Sequence, residues 1–387
     1  MSTETTIAFS HKRFFRIAVS SFFFLAGLCF ASWASRIPDI QLKLHLNNAT
    51  LGIILLGLPT GLMLSIPFAG WLIAKMGSRN VMIGSALLYS CTLPVLGSVG
   101  NQVQLFITLF VFGMGGNLLN ISMNTQAVGT EAIYGRSIMA SYHGLWSLAG
   151  FTGAAVGIIC IGFGLAPLEH FLLITVFALV VVIIGSRYLL TEDIKRQEQQ
   201  PLFAKPDRSL VILGLIAFCC MICEGTMSDW SGVYFQKVIQ PPKWLVTAGY
   251  TAFTSTMATG RFVGDWVATR IGRKKTLQLS GLFTAGGLLV AVIFPFFVTA
   301  FFGFLLVGAG VSSVVPLVYS AAGKSKKLSP GVAIAAVSTI GYLGFLVGPP
   351  FIGFIAQVSS LRVSLGLVAV LGSLISVMAT RNKESLD

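Results

Sequence analysis

The chain is 387 residues long, 55% hydrophobic and only 10% charged. Soluble proteins carry about 25% charged residues, so a water-exposed globule of this size would lack the side chains to cover its surface. The same numbers exclude intrinsic disorder, and 42 glycines without a triplet period exclude a collagen-like chain; a polytopic membrane protein remains.

A transmembrane helix needs about 20 mostly apolar residues. Twelve such stretches follow in chain order, at about 14–36, 50–74, 80–98, 103–129, 137–164, 168–190, 209–235, 245–268, 276–297, 299–322, 331–356 and 361–379. The spans give the formal charge of +13 its meaning. Of 26 basic residues, only Arg36, Lys43, Lys237, Lys243 and Arg362 fall on the odd-numbered connections, and Arg261 falls within a span. All the others lie with the termini and the even-numbered connections. That asymmetry predicts a membrane protein with both termini cytoplasmic. Charge used for orientation speaks against a nucleic-acid partner.

Span one ends in Ala-Ser-Trp-Ala-Ser (31–35), which is also a small-residue cleavage pattern; an uncleaved first helix is expected. Arg36 and Trp33 sit at its outer end. After span two comes Gly-Trp-Leu-Ile-Ala-Lys-Met-Gly-Ser-Arg (70–79). Span four carries Asn117, Asn120 and Asn124, which at about 100° per residue share a face about 60° wide; Glu131 continues it toward the cytoplasm. Amides both donate and accept, so this face suits a hydroxyl-rich neutral solute and equally suits interhelical bonding. In span five, His143 and Trp146 could titrate, pack or stack on a substrate.

The polar stretch 191–208 divides the spans six and six, predicting bundles at 1–190 and 209–387 joined by a cytoplasmic linker. Span seven supplies Glu224, about 22 Å deep, and Asp229, about 30 Å deep, counted from residue 209. An ionisable group in a span is a functional candidate by default. Glu224 is expected to carry a coupling proton, and Asp229 to pair with Arg36 as an outer gate. Span eight has a polar stripe of Thr247, Tyr250, Thr254, Arg261 and Asp265. Tyr250 and Thr254 are candidate substrate contacts; Arg261 and Asp265, four apart, are expected to pair as an inner gate. Asp-Trp-Val-Ala-Thr-Arg-Ile-Gly-Arg-Lys (265–274) then repeats the 70–79 stretch 195 positions later, with Trp, a basic residue and Gly in register. Parallel repeats of six spans imply two bundles and alternating access.

These features resemble the major facilitator superfamily, whose loop 2–3 signature Gly-x-Leu-Ala-Asp-Arg-x-Gly-Arg-Arg is matched at Gly70, Leu72, Lys75, Gly77 and Arg79, and again at Arg270, Gly272, Arg273 and Lys274. Ala-Ser-Trp-Ala-Ser-Arg-Ile-Pro (31–38), Glu-Gly-Thr-Met-Ser-Asp-Trp (224–230) and Gly-Tyr-Leu-Gly-Phe-Leu-Val-Gly-Pro-Pro (341–350) are similar to the bacterial branch of YbjJ- and MosC-type membrane proteins. The resemblance implies an all-α integral membrane fold of twelve transmembrane helices, as two pseudo-symmetric six-helix bundles. In the family the signature Asp helps latch the cytoplasmic side; here it is Ala74 and Thr269, so the latch rests on other residues. The span-five Gly-Pro motif of drug antiporters is missing too.

No Gly-x-x-x-x-Gly-Lys-Ser/Thr loop occurs, no metal-ligand spacing stands out, and no nucleophile triad is visible. The expectation is a monomeric, cofactor-free secondary transporter rather than an enzyme. Its partners would be the bilayer, protons and a small neutral sugar- or polyol-like solute. Two alternatives stay open: a proton-driven exporter of amphipathic compounds, and a non-transporting receptor on a transporter fold.

Overall fold

The computed structural model describes residues 3–135, 138–193, 207–325 and 328–381, with side chains from residue 12 onward except at 330. Most of the expected linker, 194–206, and the basic residues Arg136, Lys195, Arg196, Lys205, Lys326, Lys327 and Lys383 lie outside the described residues. The described chain is helical, without strands.

The helices are α1 (Thr3–Lys43), α2 (Asn48–Leu55), α3 (Gly57–Met76), α4 (Ser78–Ser98), α5 (Gln102–Tyr134), α6 (Met139–Gly162), α7 (Pro167–Gly185), α8 (Arg208–Tyr234), α9 (Ala248–Ile271), α10 (Arg273–Ile293), α11 (Phe297–Val311), α12 (Val314–Ala322), α13 (Pro330–Val358) and α14 (Leu361–Arg381). Among the described residues, eleven helices, some joined across a kink, are long and apolar enough to cross a membrane. Twelve spans were expected, and the difference is α9. Its 24 residues suffice in length, but Thr, Ser, Arg and Asp run along it. The crowded stretch 276–322 resolves into α10 and α11, separated at Phe294–Phe296.

Two compact units form. One holds Met1–Leu44 with Gly57–Arg196, the other His45–Leu56 with Gln197–Asp387. Within the first, α1 packs on α6 and α7, α3 on α5, and α4 on α5 and α7. Within the second, α8 packs on α13 and α14, α9 on α11, and α10 on α11 and α14. Counted as spans, the pairs one–five, two–four, three–four and three–six recur as seven–eleven, eight–ten, nine–ten and nine–twelve. The repeat seen in the signature loops is thus a repeat of packing.

Close crossings follow small residues, as expected where apolar burial cannot drive helix association. In the first unit a Cβ at Gly61 would collide with the Phe110 carbonyl, and one at Gly113 with that of Leu58. Span two is interrupted at Leu56, and its first part, α2, groups with the second unit. There Gly52 lies against the backbone of Pro349, Pro350 and Gly353 of α13.

The signature glycines act through the backbone. Gly77 has φ 79, ψ 151 and Gly272 φ 86, ψ 151, each the residue before a helix start. That conformation is essentially glycine-only. Neither has heavy atoms closer than 4.0 Å to an added Cβ, whereas Gly70 is an exposed helical position in open space. Gly77→Ala and Gly272→Ala should each cost about 1–3 kcal/mol, while Gly70→Ala should be neutral or stabilising by up to about 1 kcal/mol. Unfolding midpoints in detergent read both.

The cysteines are all free thiols; five are buried and Cys91 is exposed. Cys220 and Cys223 are spaced as Cys-x-x-Cys but turn apart, their thiols donating at 3.7 Å to the Val311 and Val368 carbonyls respectively.

Candidate functional site

In the first unit, the amide face of α5 divides. Asn117 is buried, and its Nδ2 donates to Ser65 Oγ of α3 at 2.8 Å. It is helix glue, the plainer of the two readings open to it. Asn120 and Asn124 are half-buried, and Asn124 Nδ2 donates to the carbonyl (2.7 Å) and Oδ1 (3.1 Å) of Asn120. They form one polar patch. Glu131 is absorbed elsewhere: its Oε2 accepts the N–H groups of Ile138 (2.8 Å) and Met139 (2.9 Å), holding orphan donors at the start of α6. Nearby, Trp146 stacks on Phe30 with ring centroids 6.4 Å apart, and exposed His143 meets Phe23 edge-on at 5.3 Å.

Arg36 is 2% exposed. Its Nη1 donates to Asp39 Oδ2 at 2.8 Å, its Nε to His170 Nδ1 at 3.1 Å and its Nη2 to the Leu165 carbonyl at 3.0 Å. All three partners belong to its own unit; Asp229, the partner expected from sequence, belongs to the other unit. A guanidinium this deep needs hydrogen-bond partners, and the chain supplies acceptors from the same helix, the connection between α6 and α7, and α7 itself. Lys43 Nζ donates to the Gly97 carbonyl at 3.0 Å, so the end of α1 and the connections at 99–101 and 163–166 share one end of this unit.

The opposite end holds the signature. Buried Gln126 exchanges two bonds with the Leu190 backbone (2.8 and 2.9 Å) and donates to Ser78 Oγ at 2.7 Å. Asp193 Oδ2 accepts the Ser78 N–H at 2.7 Å, and its other oxygen accepts the Ser78 hydroxyl. The carboxylate missing at Ala74 is therefore replaced at this helix start by Asp193, a favourable site for a negative charge. Arg79 Nη2 donates to the Ser186 carbonyl at 3.1 Å. Lys75 lies 5.1 Å over the Trp71 ring, and in the second unit Arg270 lies 5.3 Å over Trp266. Thr269, where the second copy lacks its Asp, bonds back to the Asp265 carbonyl at 2.7 Å. Arg273 opens α10 directly after Gly272.

In the second unit, Arg261 Nη2 and Glu224 Oε1 stand 3.5 Å apart, with side chains 22% and 13% exposed. This corrects the expected Arg261–Asp265 pair. Asp265 is exposed and has water or headgroups for solvation, whereas Glu224 on α8 is partly desolvated and needs the cation more. Tyr250 is 2% exposed and within electrostatic reach of both Glu224 and Asp229, with Ser228 at its hydroxyl. Tyr319 and Tyr342 also lie within electrostatic reach of Glu224. Asp229 is half-buried and makes no hydrogen bond or ion pair among the described residues. The Thr254 hydroxyl donates to the Tyr250 (3.0 Å) and Thr251 (3.1 Å) carbonyls of its own helix, so its donor is committed. Trp33 and Trp230 are 1% and 0% exposed and lie in the cores of their units.

The family model described as the Major Facilitator Superfamily matches residues 18–329 and 244–385. The chain belongs to the Major Facilitator Superfamily. It is 36% identical over 349 residues to an uncharacterized MFS-type transporter of Yersinia pestis, covering 90% of this chain and 91% of that one. To the membrane protein MosC of Rhizobium meliloti it is 32% identical over 363 residues, covering 93% and 88%. Among solved structures it is similar to a bacterial homolog of the human lysosomal transporter Spinster, with a TM-score of 0.76 at 13% identity, covering 97% of this chain and 98% of that one. The superfamily assignment makes this a multi-pass membrane protein of membrane transport, and its fold is the MFS fold.

Proposed function

We propose that the protein moves a small neutral polar solute, of sugar or polyol type, together with protons by alternating access. It would act as a monomer in the bacterial inner membrane with both termini in the cytoplasm. The observation that carries the reading is the Glu224–Arg261 pair on two neighbouring helices of a membrane bundle. At 3.5 Å it is longer than a tight charge-assisted bond of about 2.7–2.9 Å, a contact that alternating access can make and break. Tyr250 and Tyr319 stand where the charge of Glu224 is felt, and they give a solute hydroxyl donors beside the carboxylate. A neutral solute fits because Arg36 and Arg261 each already face a carboxylate. The half-buried Asn120–Asn124 patch, with Trp146 and His143 on the same unit, supplies amide and ring contacts.

The test is a thermal-shift screen of the purified full chain against sugars, polyols and efflux drugs at two pH values. Bound solute raises apparent stability by RT ln(1 + [L]/Kd), so weak ligands need concentrations well above Kd. A sugar or polyol hit is expected. Asn120→Ala should weaken that hit by about tenfold or more, from loss of contacts worth about 1.5 kcal/mol. Asn117→Ala should lower stability by about 1–2 kcal/mol and leave affinity within about twofold. Hits among hydrophobic cations alone would replace this reading by the exporter.

A further inference from the structure

We propose that His170 is a second proton-binding site of this protein, and that a proton taken up there releases Arg36 from its clasp. His170 is 0% exposed, near the start of α7. A guanidinium carries donors and no acceptor. The Nδ1 that receives the Arg36 Nε–H at 3.1 Å therefore offers its lone pair, and the ring hydrogen sits on Nε2. That Nε2 is buried and meets no acceptor among the described residues. The ring in the clasp is thus the neutral, Nε2-protonated tautomer.

An incoming proton has one place to go, the Nδ1 lone pair. Binding there removes the acceptor of Arg36 and sets an imidazolium against a guanidinium. Closed clasp and charged ring exclude each other, so the open form binds one proton more than the closed form. By linkage, acid shifts the population toward the open form and alkali toward the closed one. Burial adds a second condition, because solvent reaches the ring only when the clasp has parted. What the opening frees is specific: the Leu165 carbonyl in the connection before α7, and Asp39 one turn further along α1.

The ring's neighbours come from α1, α4, α6 and α7 itself. From α1 the charged neighbours are Arg36 and Asp39, the latter 21% exposed. From α6, Cys160 lies within electrostatic reach of Arg36. From α4 the residue against the start of α7 is Gly97, which faces Leu168 and Phe171 and carries no charge. On α7 itself, Glu169 is turned back to the Ala166 N–H at 2.8 Å. Gly157 of α6 faces both Ser35 Oγ and the Cε1 edge of the ring, so the absence of a side chain there leaves the imidazole its room. The site stands in the first unit and is independent of Glu224.

The test uses the full chain, labelled with 15N-histidine, in lipid nanodiscs. The His170 signals are assigned by their loss in His170→Asn. At pH 7.5 the ring should be the neutral Nε2–H tautomer, and acidification should convert it to imidazolium. An Nδ1–H tautomer, an imidazolium already present at pH 7.5, or a ring still neutral at the pH of unfolding would each overturn the proposal. Hydrogen exchange of peptides covering 33–42 and 160–170 gives the second readout. His170→Asn places an amide oxygen where Nδ1 accepts, with nothing to titrate. At pH 5 the wild type should exchange there about tenfold faster than His170→Asn, and equally at pH 7.5. Glu224→Gln should keep this difference. Its disappearance in Glu224→Gln would assign the acid response to Glu224 and end the proposal, leaving the coupling role of Glu224 standing.

Discussion

Proteoliposomes carrying Glu224→Gln should equilibrate the transported solute without accumulating it. Glutamine keeps the shape of the side chain and an acceptor for Arg261, so the α8–α9 contact at 3.5 Å survives while the titratable oxygen is lost. One pH unit of gradient is worth about 1.4 kcal/mol per proton, which for a neutral solute moved with one proton is about tenfold accumulation. The wild type should approach that ratio and the variant should fall to about one. Counterflow exchange, which needs binding and reorientation but no net proton movement, should persist in the variant. Loss of both activities in a folded variant would make Glu224 structural.

Arg36→Ala should be among the most destabilising single substitutions in the first unit. It leaves three acceptors facing the hole: Asp39 Oδ2, His170 Nδ1 and the Leu165 carbonyl. Removing one member of a buried pair typically costs about 3–5 kcal/mol. Asp39 is 21% exposed and recovers part of its solvation from water, which places the expectation near the lower bound, about 3 kcal/mol. Arg362→Ala is the control: Arg362 is exposed and its Nε donates to the Val292 carbonyl at 3.0 Å, so its loss should stay within about 0.5 kcal/mol. Unfolding midpoints in detergent, calibrated by denaturant titration, compare the two. Equal stabilities would show that the Arg36 network holds nothing together.

The spans and the repeat were legible in the sequence because the bilayer imposes a one-dimensional constraint. A run of about 20 apolar residues is visible without knowing what it touches. Gly77 and Gly272 were legible for a similar reason: a backbone conformation closed to other residues leaves a glycine in register. The span that fell short, α9, is the one whose Tyr250, Thr254, Arg261 and Asp265 mark it as polar from the start.

Partner choice was not legible. The (i, i+4) spacing of Arg261 and Asp265 suggested a pair, but a cation in a span goes to the carboxylate with least access to water, and Glu224 sits on another helix. Arg36 likewise found His170 134 positions away. His170 opens an apolar span beside Glu169 and reads as a helix-end residue; only the packing of α1 on α7 turns it inward. Asp193 and Gln126 escaped notice because neither has a motif. One lies in a polar stretch and the other nearly two turns beyond Asn120 on a helix whose amides drew attention. The faint signal for Asp193 was the missing Asp at position 74, which left a helix start in want of an anion.

The central claim, that solute and proton move together through Glu224, is tested most directly by proton flux. Wild-type proteoliposomes with no initial pH gradient receive the solute identified by the thermal-shift screen, and the external pH is recorded. The account predicts that inward solute movement makes the medium more alkaline, in fixed ratio to solute moved, and that Glu224→Gln abolishes the pH change while leaving solute exchange. Solute entry in the wild type with no movement of protons would contradict it.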